Sequence, residues 1–142
     1  MPAPIRYDAA SLDLSPRVFR STVVVASPAA GVETIICSVT CTGDIAAIAG
    51  VILIAFAAYT VGTDGVSGNL KVRRTNASGT TIVATGATNT GGLAATQLTS
   101  ASVVGFDTGP TLPGQVYVAT LLVGSGSAES AVSAASLVAI VV

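Results

Sequence analysis

At 142 residues, with 51% apolar and only 9% charged side chains, the chain is long enough to bury its own core but has few charges to keep a lone monomer dispersed. Six Lys and Arg against seven Asp and Glu, a net charge of -1, create no broad positive field and exclude nucleic acid as a partner. The absence of His removes the commonest general base and metal ligand.

Residues 1–20 hold three prolines and five of the thirteen charges, Arg6, Asp8, Asp13, Arg17 and Arg20, without sustained periodicity. They predict an extended arm, read either as a frayed terminus or as a segment that becomes ordered on a neighbour. The same segment lacks the apolar run of a secretory signal, so no cleaved export signal is expected.

From residue 21 to 142 the pattern becomes short β-branched runs punctuated by Gly, Pro, Asn, Asp and Ser, which predicts an all-β domain of seven or eight strands. The first is placed at Ser21–Ala26. In the second, Val32–Cys41, Val32, Thr34, Ile36, Ser38 and Thr40 alternate with Glu33, Ile35, Cys37, Val39 and Cys41, and one of the two faces is core. Cys37 and Cys41, four apart in an extended strand, are about 13 Å apart, too far for a disulfide, and read as small buried hydrophobes. The next strands are Val51–Thr60 and Asn69–Thr75, where Leu70 and Val72 oppose Lys71 and Arg73. "NASG" at 76–79 turns the chain into "TTIVATGA", a hairpin. Gln97–Phe106 follows, then the Pro- and Gly-rich "DTGPTLPG", then "QVYVATLLV" and a closing "AASLVAIVV".

Between Asp44 and Asp64 lie nineteen uncharged residues, enough for a helical membrane span. Six of them are Ala and two are Gly, and no Lys or Arg flanks them to orient a span. Period-2 strands on both sides argue instead for a strand at 51–60. Both its faces, Val51, Leu53, Ala55, Ala57, Tyr59 and Ile52, Ile54, Phe56, Ala58, Thr60, are rich in apolar residues and must be covered on both sides. Ile52, Ile54 and Phe56 are the expected oligomer interface, each contributing about 1.5–3 kcal/mol when fully buried, with Val51, Leu53 and Ala55 in the core, or the two faces exchanged.

Catalytic signals are absent. The carboxylates Asp8, Asp13, Glu33, Asp44, Asp64, Asp107 and Glu129 are scattered singly, and neither Cys has an activating base nearby. "GTDGVSGN" has one carboxylate where a calcium loop gathers several, and "GSGSAE" lacks the spacing of a dinucleotide loop. No catalytic, cofactor or metal site is expected. Arg73 and Arg74 point to opposite faces of one strand, so one of them turns inward or into an interface and needs a carboxylate or carbonyl partner.

"VILIAFAAYTVGTDG", "GNLKVRRTNASGTTIVATG" and "PGQVYVATLLVGSGSAESAVSAASLVAIVV" together resemble the small β-sandwich proteins that decorate and stabilise tailed-phage capsids. The resemblance spans about two-thirds of the chain and has no diagnostic motif. It implies a jelly-roll-like antiparallel sandwich, assembled as a homotrimer on the outside of a phage shell. The partner would be the major capsid protein, contacted by the arm through Arg6, Tyr7, Arg17 and Arg20. The protein would be made in the host cytoplasm and reside on the virion, with no membrane partner. A tail, fibre or adhesin-type binding module is the competing expectation.

Overall fold

The structure, a computed structural model, describes residues 17–21, 28, 31–42, 50–60, 68–85, 98–123 and 131–142. Eight strands run in chain order: β1 (Arg17–Ser21), β2 (Glu33–Cys41), β3 (Val51–Thr60), β4 (Gly68–Arg74), β5 (Thr81–Ala84), β6 (Leu98–Asp107), β7 (Gln115–Val123) and β8 (Ala131–Val141). They form two four-stranded antiparallel sheets, ordered β1-β8-β3-β6 and β2-β7-β4-β5. This order is that of a jelly roll, two interlocked Greek keys. The expected fold class is the observed one.

The core lies between the sheets. Leu53, Ala55, Ala57, Tyr59 and Leu137 from the first sheet face Leu70, Val72, Tyr117, Ala119 and Leu121 from the second, all fully or almost fully buried. Small residues set the close approaches. At Gly105 of β6, a Cβ would sit 2.5 Å from the Val83 side chain of β5, so glycine there lets the two edge strands meet. The 76–79 turn joins β4 to β5 as expected, with Gly79 N–H donating to the Asn76 carbonyl and Ser78 N–H to the Asn76 side chain.

The nineteen-residue apolar run is not a membrane helix where it is described: residues 51–60 are β3 at the centre of a sheet, while 45–49 and 61–63 lie outside the described residues. No helix among the described residues is long and apolar enough to cross a membrane. Cys37 and Cys41 are free and buried, and burial pushes both thiols up to about 11.

Two local expectations are corrected. The first strand opens at Arg17 instead of Ser21, because Arg17–Ser21 pairs along β8 from Val141 to Leu137; residues 22–26 lie outside the described residues. Simple alternation along β2 also fails. A bulge at Ile36 shifts the register between Ile35 and Cys37, so Ile36 and Cys37 are both buried, and Glu33 and Ile35 occupy the opposite face from Cys37, Val39 and Cys41.

Candidate functional site

The two outer faces of this sandwich differ in chemistry. Registration across the β1-β8-β3-β6 sheet places Val18, Ile140, Ile52 and Phe106 in one row. The next row is Arg20, Val138, Ile54 and Val104, and the third is Ser136, Phe56 and Ser102. Alternation sends the intervening residues, Leu53, Ala55, Ala57 and their neighbours, into the core. What remains outside is apolar across four strands. Val104 is 64% exposed, Phe106 48%, Val18 47%, Ile54 39% and Phe56 38%. From strand and row spacings the apolar area is about 300–400 Å², the size at which an exposed patch on a monomer is often functional. Buried Gly50 leaves room for the Phe106 ring, since a Cβ there would lie 2.6 Å from it.

The outer face of the other sheet is a charge network. The Glu33 carboxylate accepts from Lys71 Nζ at 3.0 Å, from Arg73 Nη2 at 2.9 Å and from the Thr120 hydroxyl at 2.5 Å. Arg73 also donates to the Gly79 carbonyl and to Thr81. The Arg73 bonds hold the Glu33 carboxyl down to about 2, against a smaller opposing push from burial. Lys71 and Arg73 are both paired with Glu33 within their own sheet.

Arg74, the other member of the pair, turns inward. It makes a bidentate ion pair with Asp107, Nε to Oδ2 at 2.7 Å and Nη2 to Oδ1. Tyr117 Oη donates to Asp107 Oδ2 at 2.8 Å and Gly109 N–H to Oδ1 at 3.0 Å. This clasp ties β6 of one sheet to β4 and β7 of the other, at the end of the sandwich where β3 begins and β4 ends. Burial raises the Asp107 carboxyl, but the bonds from Arg74, Gly109 and Tyr117 outweigh it and leave it below the usual carboxylate range. The Tyr117 hydroxyl is pushed far up, by burial first and then by Asp107. Glu33 thus ties strands within one sheet, and Asp107 ties the two sheets to each other.

Of the residues expected to act, Ile52, Ile54 and Phe56 share the outer face, with Ile52 half-buried. Arg17 and Arg20 are exposed on β1, and Arg20 is the one charge in the apolar rows. Arg6 and Tyr7 lie outside the described residues. Sequence reasoning missed Val18, Val138, Ile140, Val104 and Phe106, which extend the face to both edges of the sheet. The alternation of Leu98, Ser100, Ser102, Val104 and Phe106 against Ala101 and Val103 carried that signal, because both faces of that strand hold apolar side chains. Among the described residues no group of three or more His, Cys, Asp or Glu is placed to hold a metal.

No protein-family model matches the chain, and no curated protein does. Solved structures do. The crystal structure of the infectious bursal disease virus VP2 subviral particle aligns over 88% of this chain and 32% of its own, with a TM-score of 0.57 and 15% identity. The T=1 particles derived from the same virus align over 88% and 31%, with a TM-score of 0.56 and 17% identity. The structure of its Gx strain aligns over 99% and 36%, with a TM-score of 0.55 and 18% identity. The likeness is one of fold. The chain spans about a third of the length of these structures.

Proposed function

We propose that this protein is a structural component of a virus particle, a jelly-roll subunit that assembles as a homotrimer and stabilises the outside of a capsid lattice, as the decoration proteins of tailed phages do. The observation that carries this reading is the apolar outer face of the β1-β8-β3-β6 sheet, whose rows hold the single charge of Arg20 and are built around Ile52, Ile54 and Phe56. Its partner sheet is turned to solvent with its own charges paired. Burial of that face supplies the driving force, and a trimer multiplies weak contacts with the major capsid protein into firm attachment. Likeness of fold to a viral capsid protein supports the same direction. The distal arm, with Arg6 and Tyr7, reaches the shell in this reading, and the protein resides on the virion.

The test is the mass of the purified protein in detergent-free buffer, by light scattering coupled to size exclusion. A species of three times 13.8 kDa is expected. A monomer at micromolar concentration overturns the self-association on which the reading rests.

A further inference from the structure

We infer that the free edge of β6 is a second self-contact, which pairs antiparallel with β6 of another copy about a two-fold axis at Ser102. This contact goes beyond the proposed trimer and does not depend on it. The two sheets have four edge strands, β1, β6, β2 and β5. An edge strand offers unpaired N–H and C=O groups to any passing strand, and proteins blunt it by shortness, charge or a bulge. β1 has five residues, two of them Arg, β2 carries the bulge at Ile36, and β5 has four residues. β6 has none of these devices. Its ten residues keep unbroken register with β3, and from Leu98 to Phe106 they include no charge and no proline. Alternation in the ladder turns the N–H and C=O groups of about half of them away from β3, and among the described residues no other strand pairs with them. Val83 of β5 stands where a Gly105 Cβ would be, on the inner face of β6, so β5 does not occupy this edge.

Self-complementarity selects a second copy as the occupant. Residues directly opposite in an antiparallel pair share a face, and a two-fold axis makes every such pair occur twice. With Ser102 opposite the partner's Ser102, Leu98 lies opposite the partner's Phe106 and Ser100 opposite the partner's Val104 on the outer face. On the inner face, Ala101 meets the partner's Val103 and Thr99 meets the partner's Gly105. Large apolar side chains are thus matched at both ends and small residues at the centre. Leu98 is accounted for by this register: within its own subunit it is 64% exposed, pairs with Thr60 and lies outside the apolar rows.

The overlap of residues 98–106 is about 30 Å long and, at a sheet thickness of about 10 Å, buries roughly 300 Å² per partner, the size of a weak contact. A two-fold contact of that strength acts where many copies are held side by side, as on a lattice.

The test is register-specific disulfide trapping of the full-length chain, at high protein concentration under mild oxidation. Cys37 and Cys41 are buried and do not compete, and Ser100, Ser102 and Val104 are exposed, so their replacement leaves the fold intact. Ser102→Cys is expected to give a linked pair of twice 13.8 kDa on a non-reducing gel. Ser100→Cys and Val104→Cys are expected to link only when mixed. Adding Leu98→Lys to Ser102→Cys slows linking about threefold or more. The pairing is overturned if Ser102→Cys does not link, if Ser100→Cys links with itself as well as in the mixture, or if Leu98→Lys leaves the rate unchanged. The two self-contacts fail separately. A parent trimer whose Ser102→Cys variant stays unlinked removes the β6 contact alone, whereas a parent monomer whose Ser102→Cys variant links in register overturns the trimer and supports the β6 contact.

Discussion

Replacing Asp107 with Asn removes one charge from the clasp between the sheets while preserving side-chain size. The carboxylate is 1% exposed and takes four hydrogen bonds, two from Arg74, one from the Tyr117 hydroxyl and one from the Gly109 amide. An Asn amide faces the guanidinium donor to donor, so at least one Arg74 bond is lost outright. Removing one partner of a buried ion pair costs about 3–5 kcal/mol, but Arg74 is 31% exposed and recovers part of its hydration, which reduces the expected loss to about 2–4 kcal/mol. Tyr117→Phe removes one donor and leaves the ion pair, so about 1–2 kcal/mol is expected. Urea unfolding at pH 7 measures both, at matched protein concentration because the proposed assembly would raise apparent stability. A loss below about 1 kcal/mol for Asp107→Asn, or equal losses for the two variants, would refute the view that the charge pair, more than the tyrosine, holds the sheets together.

Three further outcomes are expected. Phe56→Asp places a charge in the apolar rows and, if the proposed self-association holds, yields a monomer with unchanged β content, read by light scattering and circular dichroism. Glu33 has its folded carboxyl lowered from 4.5 to about 2, so its stabilising contribution is present above pH 4.5 and is lost as the pH falls towards 2. Because Glu33 is partly exposed, solvent screening holds that contribution to about 1–2 kcal/mol, and Glu33→Gln flattens the urea midpoint between those pH values by that amount. A midpoint profile identical to the parent's removes the Glu33 network from acid stability. Gly105→Ala drives a Cβ into Val83 and costs about 1–3 kcal/mol in thermal or urea unfolding, and a second change, Val83→Ala, restores part of it. No restoration in the double variant means that the loss arises elsewhere.

Most strands were legible because the physics that sets them is local. Val51–Thr60 and Gln115–Val123 form where their β-branched and apolar runs place them, with Gly50 immediately before the first and Pro113 and Gly114 immediately before the second. The face of β3 that stays outside, carrying Ile52, Ile54 and Phe56, was one of two options open to alternation alone. The alternatives closed only when the second sheet covered Leu53, Ala55 and Tyr59. Where one extra residue entered a strand, as at Ile36, periodicity misled, since a single-residue bulge exchanges the faces of everything before it.

By itself the sequence determined an all-β chain, poor in charge, with a central strand too apolar on both faces to be left bare. Composition and period-2 patterning are properties of neighbouring residues, and they survive without knowledge of the fold. Tertiary structure decided which strands pair, that Arg73 meets Glu33 while Arg74 meets Asp107, and that Val18, Ile140, Val104 and Phe106 join Ile52 and Ile54 in one surface. Those partners lie 33 or more residues apart in the chain for the ion pairs, and further for most of the rows. Only strand order and register bring them into contact, and neither is written in any local stretch of residues.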